Sequence, residues 1–243
     1  MGDIPRIQTF SNVADWADAA QDIIVDALDN GQRQQTGWAS FAGSGGSTPT
    51  PIYERLAKRR TIEAWQHTFV TLVDERYVPE DHPDSNAALL KRTLLRHEAA
   101  GAEFIPLYRP AITVDRAAAL AAHSLAAELD GQGFDAVLLG MGEDGHICSM
   151  FPDSPTLKTL LAPALRPTVL GVPHGRDGAA PSLERLTINL PYLMSARRVV
   201  LAISGAAKRA VFEREAAGDP AVQPIAALIA ADVPLDVLWT EKA

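Results

Sequence analysis

Residues Phe134-Asp135-Ala136-Val137-Leu138-Leu139 form a near-continuous apolar run that ends in glycines at Gly140 and Gly142. A half-wet strand alternates polar with apolar side chains, whereas an apolar strand must be covered on both faces, as in the middle of a parallel sheet. Such a sheet needs helices on either side and long crossover connections between its strands. The sequence on both sides of this run has to supply them.

It does so in repeated units. Trp38 to Ala42 reads as a strand, a glycine-rich loop follows, and a helix runs from Pro49 to Arg60 with Ile52, Tyr53 and Leu56 inward. Thr68 to Val73 is a second apolar run, leading through a charged loop to a helix that starts near Asn86 and carries Leu89, Leu90, Leu94 and Leu95. A third unit joins Ala102 to Leu107 with an alanine-rich helix from Val114 to Leu129. Upstream, Ser11 can cap a helix through Trp16, Ala20, Ile23, Ile24 and Leu28, whose helical spacing stops at Gly31. Downstream, strands are expected at Thr168 to Val172, Arg185 to Leu190, Val199 to Ile203 and Asp236 to Trp239, and helices at Ala206 to Ala216 and Pro224 to Ala230. Residues 152 to 181 are punctuated by prolines and read as long loops with one short helix. Sustained alternation of strand and helix predicts an α/β fold, a doubly wound, mostly parallel sheet flanked by helices, in a single domain over residues 1–243.

Bulk properties narrow the partners. A net charge of −8 argues against nucleic acid and anionic membrane surfaces, which demand a positive face. An anionic small molecule would need a local cationic pocket. No apolar run approaches the roughly 18 residues of a membrane span. The opening Met1-Gly2-Asp3-Ile4-Pro5-Arg6 is neither a basic signal segment nor a myristoylation motif, because Arg6 stands where that motif takes Ser or Thr. The single cysteine, Cys148, excludes an intrachain disulfide framework and suits a reducing compartment. A cytoplasmic location is expected, with no obligate protein partner.

Loops beyond the carboxyl ends of parallel strands meet in one crevice. Three such loops hold the chemistry. Ser44, Gly45, Gly46, Ser47 and Thr48 offer backbone amides and hydroxyls, with Pro49 suited to a first helical turn; an anion-binding loop and an ordinary capped turn both look like this. Asp74-Glu75-Arg76 ends an apolar run, so Asp74 could orient a water or hydroxyl and Arg76 hold a phosphate or oxyanion, or all three charges could simply be solvated. His146 can accept a proton from water with Asp144 near enough to orient it, or it can be a structural histidine in a tight loop. A Cys148 nucleophile beside His146 and a metal on Asp81, His82 and Asp84 are further readings, neither with a supporting motif.

Gly140-x-Gly142-x-x-Gly145 also matches the dinucleotide fingerprint. That motif opens a helix directly and places an acid about 20 residues later for the ribose. Here Pro152 and Pro155 interrupt, no Asp or Glu other than Asp153 lies near that spacing before Asp177, and Glu143 and Asp144 would face the pyrophosphate. A nicotinamide cofactor is not expected.

Taken in order, SGGSTP at 44–49, DERYVP at 74–79, GMGEDGHICSMFP at 140–152, RLTINLP at 185–191 and SGAAK at 204–208 resemble the 6-phosphogluconolactonases, within the broader family that includes glucosamine-6-phosphate deaminases. The resemblance spans nearly the whole chain. It implies the deaminase-type fold and hydrolysis of 6-phospho-D-glucono-1,5-lactone, a carboxylic ester, without organic cofactor or metal. It further implies His146 as general base, Asp74 and Arg76 in the catalytic site, and Ser44 to Thr48, Gly142, Asp144, Gly145, Arg185 and Lys208 as sugar-phosphate ligands. The deaminases carry Phe-Asn-Glu-Pro after the Gly-His pair; this chain reads Ile147-Cys148-Ser149-Met150-Phe151-Pro152 without that glutamate, and has Arg76 where they commonly have an aromatic residue. Both differences favour lactonase over a deaminase, and the joint presence of Asp74 and His146 argues against a non-catalytic sugar-phosphate sensor.

Overall fold

A computed structural model describes residues 3–34, 37–61, 64–175 and 179–242. Gly2 and residues 176–178 of the proline-punctuated stretch lie outside the described residues. In chain order the strands are β1 (Ile7–Phe10), β2 (Ala39–Gly43), β3 (Thr68–Leu72), β4 (Asp74–Arg76), β5 (Glu103–Phe104), β6 (Ala136–Leu139), β7 (Val169–Val172), β8 (Arg185–Ile188), β9 (Val199–Ser204) and β10 (Leu235–Thr240). The α-helices are α1 (Val13–Gln32), α2 (Thr50–Leu56), α3 (Asn86–Thr93), α4 (Val114–Glu128), α5 (Leu157–Leu160), α6 (Leu190–Met194), α7 (Ala206–Glu215) and α8 (Pro224–Ala230).

Seven strands form one sheet in the order β1-β10-β9-β6-β2-β3-β5, and every neighbouring pair is parallel. The chain leaves β2 toward β3 and β5, then returns to β6 on the other side of β2 and continues outward through β9 and β10. This reversal opens a crevice above the carboxyl ends of β2 and β6, the place where open α/β sheets bind ligands. Phe41, Ala42, Val70, Leu72, Val137, Leu138, Leu139 and Leu201 are buried along the central strands. The apolar run that demanded cover on both faces receives it.

Several expectations shift. Asn12, not Ser11, caps α1, its side chain accepting from the Asp15 N–H at 2.8 Å. Gly31 does not stop that helix; a Cβ there would come within 2.5 Å of the Asp135 carboxylate, so glycine permits close packing of helix on sheet. The edge strand β1 and the short α6 carry too few residues for a periodic signal. The proline-punctuated stretch contains its expected short helix, α5, and the expected strand, β7, but β7 joins β8 and β4 in a separate antiparallel sheet of order β4-β8-β7. Asp74 to Arg76, read from sequence as a loop, are therefore a strand.

Candidate functional site

That small strand sorts the three consecutive charges by geometry, because neighbouring side chains on a strand point to opposite faces. Asp74 and Arg76 line a cleft of about 260 Å³. Glu75 turns the other way and is fully buried, where its carboxylate accepts the N–H groups of Arg76 at 2.7 Å, Asn86 at 2.8 Å and Ala87 at 2.7 Å. It thus holds the first amides of α3, a favourable place for negative charge. Burial pushes the Glu75 carboxyl up, with those amides opposing the shift.

The cleft lies over the β2/β6 crevice and is also lined by Ser44, Gly45, Gly46, Ser47, Thr48, Gly142, His146, Arg185 and Lys208. Ser44 follows β2, Gly142 and His146 follow β6, and Lys208 stands in the first turn of α7 after β9, so three strand ends converge. A larger cavity of about 390 Å³ opens elsewhere on the molecule, on Trp38, Phe69 and Arg197, and contains none of these residues.

Ser44 is buried and its Oγ has no hydrogen-bond partner, while its carbonyl accepts from the Tyr53 hydroxyl at 2.6 Å. Gly45 is pressed against Asn86: a Cβ would meet Asn86 Oδ1 at 2.0 Å. Asn86 Nδ2 in turn donates to the Asp74 carbonyl at 2.9 Å, joining the glycine loop to the acidic strand. Lys208 Nζ reaches Thr48 Oγ1 at 3.5 Å. Burial lowers the Lys208 pKa, opposed by the charge of Glu143.

Asp74 Oδ2 accepts from Ser149 Oγ at 2.6 Å and lies 3.7 Å from Arg185 Nη1. Burial lowers the Arg185 pKa, and Arg76 adds to the shift while Asp74 opposes it. Pairing of β4 with β8 sets Arg76 directly opposite Arg185. The Arg76 side chain donates through Nη1 to the Asp84 carbonyl, and its Nε is buried without a partner.

His146 Nδ1 is 2.5 Å from Asp144 Oδ1, and the same oxygen accepts the His146 backbone N–H at 3.2 Å. Burial would raise the Asp144 carboxyl, but its bonds to His146 outweigh that and hold it below the usual carboxylate range. A carboxylate only accepts, so Nδ1 carries a proton, and in the neutral imidazole the lone pair is left on Nε2. The imidazole also lies against Phe151, ring centroids 4.3 Å apart. The turn beneath it is closed by Gly142 N–H to the His146 carbonyl at 2.9 Å and Gly145 N–H to the Gly142 carbonyl at 3.1 Å.

Asp144 and Gly145 do not line the cleft. Asp144 holds His146 from behind, and Gly145, at φ +84°, packs its Cα side against the Glu215 carboxylate. Cys148 does line it, but burial, with help from the Asp74 charge, pushes its thiol well up, contrary to what a nucleophile requires. No cluster of three or more His, Cys, Asp or Glu suited to a metal occurs among the described residues. Asn86 and Ser149 were not singled out in the sequence, since each acts through Asp74, which is distant along the chain; nor was Phe151, whose ring lies beside His146. Among the described residues no helix is long and apolar enough to cross a membrane.

Residues 11–239 match the family model described as glucosamine-6-phosphate isomerases/6-phosphogluconolactonase. The chain is 38% identical to a 6-phosphogluconolactonase of Caulobacter vibrioides over 97% of each chain. It is 37% identical to one of Pseudomonas aeruginosa, over 96% of this chain and 94% of that one. A crystal structure of a 6-phosphogluconolactonase from Shewanella baltica superposes with a TM-score of 0.86 at 30% identity, covering 97% of both chains.

Proposed function

The chain belongs to the glucosamine-6-phosphate isomerase/6-phosphogluconolactonase family and is a hydrolase with 6-phosphogluconolactonase activity, and from that premise we propose that His146 is its general base. The observation that carries the proposal is the Asp144–His146 contact, which directs a basic Nε2 away from the carboxylate that holds Nδ1. Nε2 takes a proton from water as the water oxygen bonds to C1 of 6-phospho-D-glucono-1,5-lactone. The carbonyl electrons move onto its oxygen, where Arg76 or the amides of the Ser44 to Thr48 loop stabilise them. Collapse of this intermediate breaks the C1–ring oxygen bond, and the imidazolium returns its proton to the departing oxygen. The product is 6-phospho-D-gluconate.

Binding roles follow the same layout. The Ser44 to Thr48 loop, Lys208 and Arg185 take the phosphate and hydroxyls of the sugar, with Asp74 orienting a hydroxyl or the water. Asp144 positions the base, and Gly142 and Gly145 shape the turn that carries it. The reaction runs without metal or organic cofactor, in the cytoplasm.

The test follows acid release from freshly generated 6-phosphogluconolactone, with the spontaneous rate subtracted and ammonia release from glucosamine 6-phosphate measured alongside. Lactone hydrolysis alone is expected, and it should fall about 10²- to 10⁴-fold in His146→Asn. Full turnover by a folded His146→Asn protein would overturn the assignment of the base.

A further inference from the structure

Behind Arg76 lies a second chamber of about 300 Å³, which shares Gly46, Ser47, Arg76 and Asn86 with the substrate cleft. Its remaining wall includes Thr50 and, on the last turn of α3, Arg92. Two guanidiniums and one carboxylate, Asp84, line it. No ion pair is made by Arg76 or Arg92 among the described residues, and the Arg76 Nε is buried with no partner. Asp84 is drawn elsewhere: its carbonyl accepts from Arg76, and its carboxylate lies 3.8 Å from His82 Nδ1. In a chain of net charge −8, two guanidiniums against one carboxylate on one concavity leave a local positive field. Gly46, at φ +88°, lines both cleft and chamber, and a Cβ built on it would meet nothing within 4 Å.

We propose that this chamber is a second anion site, built to take a phosphate group between Arg76 and Arg92. Arginine pairs with phosphate through planar, often two-pronged hydrogen bonding, and the hydroxyls of Ser47 and Thr50 can donate to the remaining oxygens. The group comes either from the substrate itself, reaching past Arg76 and leaving Lys208 and Arg185 to the sugar hydroxyls, or from a free phosphate that contacts the same arginine and so competes with substrate.

The probe is inorganic phosphate added to the full chain at constant ionic strength in a phosphate-free buffer. It is read by the rise in Tm of His146→Asn protein, which requires no turnover and holds whether or not His146 is the base, and by inhibition of lactone hydrolysis, which rests on the lactonase reading. Removing Arg92 in Arg92→Ala should raise the phosphate concentration needed for half the effect about fivefold, with Arg92→Lys retaining most of it. If Arg92→Ala also raises KM for the phosphorylated lactone but not for unphosphorylated gluconolactone, the chamber takes the substrate's own phosphate. If KM is unchanged, it takes a free one. Should Arg92→Ala lower the Tm without phosphate, Arg92→Gln replaces it in each comparison. A phosphate response indifferent to the residue at position 92 overturns the proposal.

Discussion

Asp144 Oδ1 stands 2.5 Å from His146 Nδ1, two residues apart on a turn that Gly142 closes from below. Placing the carboxylate on Nδ1 leaves a single nitrogen for chemistry. Asp144→Asn keeps the shape but can present its NH₂ group to Nδ1 and reverse the tautomer. A fall in kcat of about 10²-fold is expected, with KM nearly unchanged. Steady-state kinetics on the lactone decide it, and an unchanged kcat would remove Asp144 from the mechanism.

The same contact has a signature in acid. Asp144 is held below the ordinary carboxylate value of about 3.9. A carboxyl depressed in the folded state adds stability that is fully present above its unfolded value and lost as pH falls through the lower folded one. The stability that Asp144 adds relative to Asp144→Asn should be present at pH 5 and shrink as pH falls below 4. Urea unfolding at several pH values measures it; a difference that grows below pH 4 would contradict the sign.

Gly142 and Gly46 separate crowding from backbone strain. A Cβ on Gly142 would lie 2.3 Å from His146 Nδ1 and 2.4 Å from Asp144 Oδ1, so Gly142→Ala should displace the imidazole and lower kcat by at least about tenfold. Gly46→Ala meets no atom within 4 Å and has only its positive φ to accommodate, at about 1–2 kcal/mol of stability. Kinetics beside thermal unfolding should show one variant impaired chiefly in turnover and the other chiefly in Tm.

Glu75 is a structural acid amid functional ones. Glu75→Gln would set an NH₂ group against at least one of the backbone N–H groups that the carboxylate accepts, with a loss of about 1–3 kcal/mol. The start of α3 should loosen with it, visible as faster amide exchange at Asn86 and Ala87. Retained protection at both amides would show that they have another acceptor.

Cys148 provides a control at the cleft wall. Its buried, neutral thiol should react slowly with alkylating reagents, and Cys148→Ala should keep wild-type order of turnover. Rapid alkylation with loss of activity would reopen the nucleophile reading.

Strand and helix order was legible because buried parallel strands leave long apolar runs, and loops at their ends leave glycine and charge. The loop residues chosen at 44–48, 76, 142, 146, 185 and 208 do converge on one cleft. What escaped depends on pairs of residues separated along the chain. Asp74 to Arg76 make a strand only because β8, more than 100 residues away, pairs with them, and three charged residues have no intrinsic strand preference. Asn86 gains its place from Gly45 and Asp74, and Glu75 from the start of α3; neither relation has a local pattern. Gly145 looked like a ligand-facing glycine, yet the nearby Glu215 explains it by packing.

The β4–β8 register has a cost that the free protein bears. With Arg76 facing Arg185 across the pair, like charges sit side by side where opposite ones would stabilise the ribbon. Any anion that settles between them relieves this repulsion as well as forming its own contacts. An anion bound there would draw the unfolding equilibrium toward the folded chain by mass action, so its concentration and the stability of the ribbon are linked.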